Sequence, residues 1–294
     1  MPSKGAVLAF LALTCVSTWL PAWVLQDFWQ EAAPTLATDI LRCSVLYLAL
    51  IGWQPLAAAA LVRRFLEPAR PLDAGLRRAS EDFTLPSLLL PCATLLLSSL
   101  LYLLVEPQSA MQPTGTSTQP SFGQEVLAVL AVLMASLVIY CQCWLEEIAW
   151  RGYFLVRAME CAGSWRGLVL HGAVWGAWYG AILVVLSGGT ADSWERAGAF
   201  VATCALLGVV FGWLRLAARS VVPAVVANTV FTLGAGLPIL LRGGDVGARG
   251  AVYLPIGWVP LALLIVWFAF SRYRQAVVTP RPPRRRRLLS TALH

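Results

Sequence analysis

The chain has 294 residues, of which 59% are hydrophobic and only 13% charged, with a mean hydropathy of +0.71. This composition excludes a soluble globular domain and a disordered chain, and indicates an all-α, polytopic membrane protein. The net charge of +7 comes largely from a C-terminal arginine cluster. Beside a membrane helix such a cluster reads as an anchor on anionic lipid, not as a nucleic-acid site.

Apolar runs long enough to span a bilayer occur at about 6–25, 43–62, 85–105, 126–145, 167–187, 197–216, 219–240 and 252–271, which predicts eight transmembrane helices. The first run follows Lys4 and lacks a small-x-small cleavage site, so it reads as a retained helix, not a signal peptide. The connection at 63–84 carries Arg63, Arg64, Arg70, Arg77 and Arg78, and is long enough for a short interfacial helix. The connections at 26–39 and 106–125 contain no Lys or Arg, and the second is rich in Pro, Thr, Ser and Gly, as an external loop would be. By the positive-inside rule both termini and the 63–84 loop face the cytoplasm, as expected for a bacterial inner membrane. The expected divisions are spans 1–3 with their loops (1–124), a polar-bearing core of spans 4–7 (125–240), an eighth span (241–271) and a basic cytoplasmic tail (272–294).

Chemistry concentrates in the core. Glu146, Glu147 and Arg151 stand where the fourth apolar run ends, and ionisable groups there are expensive enough that they pair or react. Glu147 and Arg151 are i,i+4 and share a helix face, so they can form an ion pair. Glu146 is rotated by about 100° and is left available as a base. The plainer alternative is a charged cap on a helix that has reached the headgroups. Good helix formers continue to Met159, with Gly163 as the first strong stop, so the helix can run past Arg151. The fifth run offers His171, Trp175, Trp178 and Tyr179, and the seventh offers Asn228 and Thr232. Trp175/Tyr179 and Asn228/Thr232 are each i,i+4 pairs on one face. Singly, these residues also suit helix packing and interhelical hydrogen bonds.

The seven cysteines form no disulfide framework. Cys141 and Cys143 are i,i+2 and point to different faces, so no metal pair is expected there. The chain has no glycine-rich phosphate loop and no Rossmann fingerprint, and no cofactor is expected.

Taken in order, these residues resemble the CPBP family of CAAX-processing and bacteriocin-processing intramembrane proteases, which includes the type II CAAX prenyl endopeptidases. Glu146-Glu147-Ile148-Ala149-Trp150-Arg151-Gly152-Tyr153 resembles the EExxxR motif. Val174 to Tyr179 resembles the W/FxxxH motif, and Ser220-Val221-Val222-Pro223-Ala224 resembles the lead-in to the HxxxN/D motif. The resemblance spans about 125–235. It departs at both histidines, replaced here by Tyr179 and Asn228, and at the last motif position, occupied by Thr232. It implies a CPBP-like four-helix core with Glu146 as the base, Glu147 and Arg151 as its support, and Tyr179, Asn228 and Thr232 on the electrophile side. His171 and Trp175 are further candidates; His171 either reaches the site or is satisfied by a backbone carbonyl or by water. The implied activity is metal-independent proteolysis of a membrane-associated protein or peptide. The alternatives are an inactive homologue acting as a binding, immunity or chaperone-like module and, more weakly, a small transporter. The one-sided distribution of polar residues argues against the transporter.

Overall fold

A computed structural model describes residues 4–27, 52–69, 74–79, 81–105, 122–241 and 251–270, and the regular structure among them is helical. In chain order the helices are α1 (Lys4–Val24), α2 (Gln54–Phe65), α3 (Thr84–Val105), α4 (Phe122–Glu147), a π-helical segment (Ile148–Phe154), α5 (Leu155–Ala162), α6 (Ser164–Leu186), α7 (Ala191–Ala218), α8 (Val222–Leu241) and α9 (Pro255–Phe270). Five helical stretches among the described residues are long and apolar enough to cross a membrane: Lys4–Val24, Glu81–Val105, Val129–Ala162, Ser164–Leu186 and Ala191–Ala218. Val222–Ala235 and Pro255–Phe270 are shorter apolar helices. The protein is therefore an all-α, multi-pass membrane protein. Part of the expected second span, the 106–121 portion of the expected external loop and the basic tail lie outside the described residues.

Exposure sorts the helices into an outer and an inner set. On α3 the leucines at 85, 89, 96, 100 and 104 are exposed, while Ser87, Pro91, Thr94 and Ser98 turn inward. In water that leucine stripe would be an aggregation surface; against hydrocarbon it costs nothing. α4 likewise exposes Leu130, Leu133 and Leu137 and turns Ala131 and Ala135 inward. α6 and α7 form the centre. A Cβ on Gly172 would lie 2.5 Å from the Cys204 carbonyl, and one on Gly208 would lie 2.4 Å from the Gly172 Cα. The two backbones are therefore in contact, as small residues permit when no hydrophobic effect drives helices together.

The fourth helix does not stop at the expected end of its apolar run. It passes through the π segment, where the Leu155 N–H reaches back to the Trp150 carbonyl, and ends only at Gly163, whose φ of 83° few side-chained residues adopt. Its continuation past Arg151 matches the reading of the sequence; the π turn had no sequence signal. Phe10 of α1 enters this turn, with ring centroids 5.5, 5.3 and 5.4 Å from Trp150, Tyr153 and Phe154. Just beyond, Glu67 accepts hydrogen bonds from Arg157 Nη2 at 2.9 Å, Arg157 Nε at 3.1 Å and the Tyr153 hydroxyl at 3.3 Å. That cluster ties the connection after α2 to α5. Residues 74–79 cover the same end of the core: the Val221 N–H donates to the Gly75 carbonyl and the Ser220 hydroxyl to the Arg77 carbonyl.

Candidate active site

Continuing the helix through residue 151 carries Glu146, Glu147 and Arg151 inside the protein, where all three are buried. Arg151 Nη1 donates to Glu147 Oε1 at 2.7 Å, with both side chains at 0% exposure, so the expected i,i+4 ion pair is present. Asn228 Nδ2 of α8 donates to the same oxygen at 3.0 Å. The guanidinium lies over Trp175, 4.1 Å from the ring centroid, and near Phe211 at 5.5 Å. Its Nε and Nη2 have no hydrogen-bond partner among the described residues, so the aromatic faces stand in for part of its lost hydration.

Glu146 has different company. Gln142 Nε2, one turn earlier, donates to Glu146 Oε1 at 2.7 Å, and the Tyr179 hydroxyl of α6 donates to the same atom. These two donors are neutral. Glu147 carries the ion pair with Arg151, while Glu146 accepts from an amide and a phenol, an arrangement that suits the first to a scaffold role and the second to accepting a proton.

The structure gathers Glu146, Glu147, Arg151, Trp175, Tyr179, Asn228 and Thr232 into one cluster. Thr232 is its outermost member, with its hydroxyl 3.4 Å from Asn228 Oδ1. Tyr179 and Asn228 meet the carboxylates directly, so their donors point at the glutamates. The Trp175 indole N–H is buried close to the Glu146 carboxylate. His171 is fully buried, its ring centroid 6.0 Å from that of Phe154, and neither ring nitrogen has a hydrogen-bond partner among the described residues. Neither the glutamates nor a backbone carbonyl there satisfies it. Cys141 is exposed and Cys143 buried, as their spacing requires.

Gln142 is the site residue the sequence reading passed over. Its signal was present: a lone amide in an apolar run, i,i+4 from Glu146.

The inward carboxylates, one paired with arginine and both reached by donors from other helices, define a membrane protein with a buried polar centre. Residues 126–234 match the family model described as type II CAAX prenyl endopeptidase Rce1-like. That segment is similar to the Rce1-like family, and the CPBP resemblance read from the motifs is borne out over it. It contains every member of the cluster. No curated protein matches the chain.

Proposed function

We propose that this protein is an intramembrane glutamate-type endopeptidase that cleaves a membrane-associated protein or peptide on the cytoplasmic half of a bacterial inner membrane. In this reading both termini are cytoplasmic and the basic tail rests on anionic lipid. The observation that carries it is the buried pair Glu146–Glu147 with its divided environment. Burying two carboxylates is costly, and a surface that only bound a partner helix would have no use for the second.

The chemistry follows from the positions. Glu146 takes a proton from a water molecule as that water's oxygen adds to the scissile carbonyl carbon. The proton is then passed to the departing amine nitrogen as the C–N bond breaks. The buried Trp175 indole N–H, close to Glu146, is a donor for the tetrahedral oxyanion. Glu147, Arg151 and Asn228 hold the helix ends in register around the base. A second reading, a binding module without turnover, draws on the engagement of Tyr179 and Asn228 with the glutamates; these two residues occupy the motif positions where histidine would stand.

Glu146→Gln separates the readings. The amide keeps the volume but cannot accept the proton, so membrane-protein precursors should accumulate in a strain carrying it, as seen by mass spectrometry of the membrane fraction. A variant strain whose membrane proteome matches wild type would remove the proteolytic reading and leave the binding module.

A further inference from the structure

Gly52 lies outside the Rce1-like segment, two residues before α2 begins, yet it is buried against the site. A Cβ built on it would fall 1.5 Å from Gln142 Oε1, 2.4 Å from Cδ and 2.7 Å from Nε2. The Gln142 amide therefore fills the space a side chain at residue 52 would need. The space around residue 52 is what excludes a side chain there.

Gln142 is 1% exposed and reaches Glu146 through Nε2, while its Oε1 faces Gly52 with no hydrogen-bond partner among the described residues. A free glutamine samples three side-chain torsions, and fixing them carries an entropic cost. Here the amide is confined between the Gly52 backbone on one side and the Glu146 carboxylate on the other. We infer that Gly52 and Gln142 form a positioning device for Glu146: the bare backbone of residue 52 seats the Gln142 amide, and the amide orients the carboxylate oxygen. Gln142 acts through Glu146 and is a positioning residue, not a catalytic one. The consequence for turnover rests on the reading of Glu146 as the base, whereas the coupling between residues 52, 142 and 146 is a property of the fold.

Because the displaced atoms are the far end of a flexible side chain, Gly52→Ala should fold and push the amide off Glu146. Dicyclohexylcarbodiimide, an apolar reagent that adds to protonated carboxyls within a membrane, reads this directly. The full-length protein in detergent would be labelled as wild type, Gly52→Ala, Gln142→Leu and the double variant, and the adducts at Glu146 and Glu147 quantified by peptide mapping. Loss of a charge-assisted donor favours the protonated carboxyl. Gln142→Leu and Gly52→Ala should each raise the Glu146 adduct several-fold while Glu147 stays at its wild-type level. The double variant should label no faster than either single one, because both changes remove the same contact.

Four results would overturn the inference: wild-type labelling in Gly52→Ala, additive effects in the double variant, a parallel rise at Glu147, or no Glu146 adduct in Gln142→Leu. If Gly52→Ala did not yield folded protein, wild-type Glu146 labelling in Gln142→Leu would still sink it, and a selective rise there would support it. The precursor assay with Glu146→Gln is independent. A membrane proteome unchanged by that variant would end the proteolytic reading and leave the labelling result standing.

Discussion

Two ion pairs in this molecule have the same geometry and opposite surroundings. Arg151–Glu147 and Arg196–Asp192 are both i,i+4, both with N–O distances of 2.7 Å, yet the first has side-chain exposures of 0% and 0% and the second 59% and 73%. Distance therefore says little about what either contributes. At the exposed start of α7, water and salt screen the attraction, and losing either partner returns the other to a good solvent. Inside the core, removing one partner leaves a charge with nowhere to go.

The comparison breaks or sharpens on four variants. Arg151→Ala should have the largest effect, a loss of about 3–5 kcal/mol, because Glu147 stays buried with only the Asn228 amide. Thermal unfolding in detergent measures it, and an unchanged midpoint would mean that the Glu147 carboxylate is solvated. Exchanging the charges, Glu147→Arg with Arg151→Glu, should recover only part of the loss, since the new cation would face the Asn228 amide donor. Arg157→Ala should fall between the extremes, at about 1.5–3 kcal/mol, because Glu67 loses two charge-assisted bonds but keeps the Tyr153 hydroxyl. Arg196→Ala should change stability by no more than about 0.5 kcal/mol, and that small change should vanish in high salt. If Arg151→Ala and Arg196→Ala shifted the midpoint equally, burial would not be what separates the two pairs.

The ion pair was legible in the sequence because helical spacing is a local rule: given a helix through residue 151, Glu147 must meet Arg151. Helix-forming residues up to Gly163 gave that continuity. The cluster around it was legible only in part. Tyr179 and Asn228 could be picked out as polar residues on apolar helices, but which carboxylate each would meet depends on helix rotation and depth, which spacing within one helix does not specify. Gln142 obeyed the same i,i+4 rule as Arg151 and was passed over because an uncharged amide draws less notice than an ion. The π turn is a tertiary effect. Trp150, Arg151, Tyr153 and Phe154 are all buried at once, wedged by Phe10 of α1, and no window of sequence contains that partner.

The glycine seam between α6 and α7 also determines how motion is distributed in time. Backbones that touch at Gly172 and Gly208 leave no side chain between them to change rotamer and no gap for a water molecule. The amides along this seam should be among the last to exchange with deuterium, while those of α3, held by a leucine face that lipid can replace at no cost, should exchange earlier. Tyr179 lies on the slow side of that division. Glu146 rides on α4, whose outer turns share the lipid-facing character of α3. The two ends of the hydrogen bond at the centre of the site therefore belong to parts of the molecule that keep different clocks, and any opening of the site should be set by the helix that carries the carboxylate.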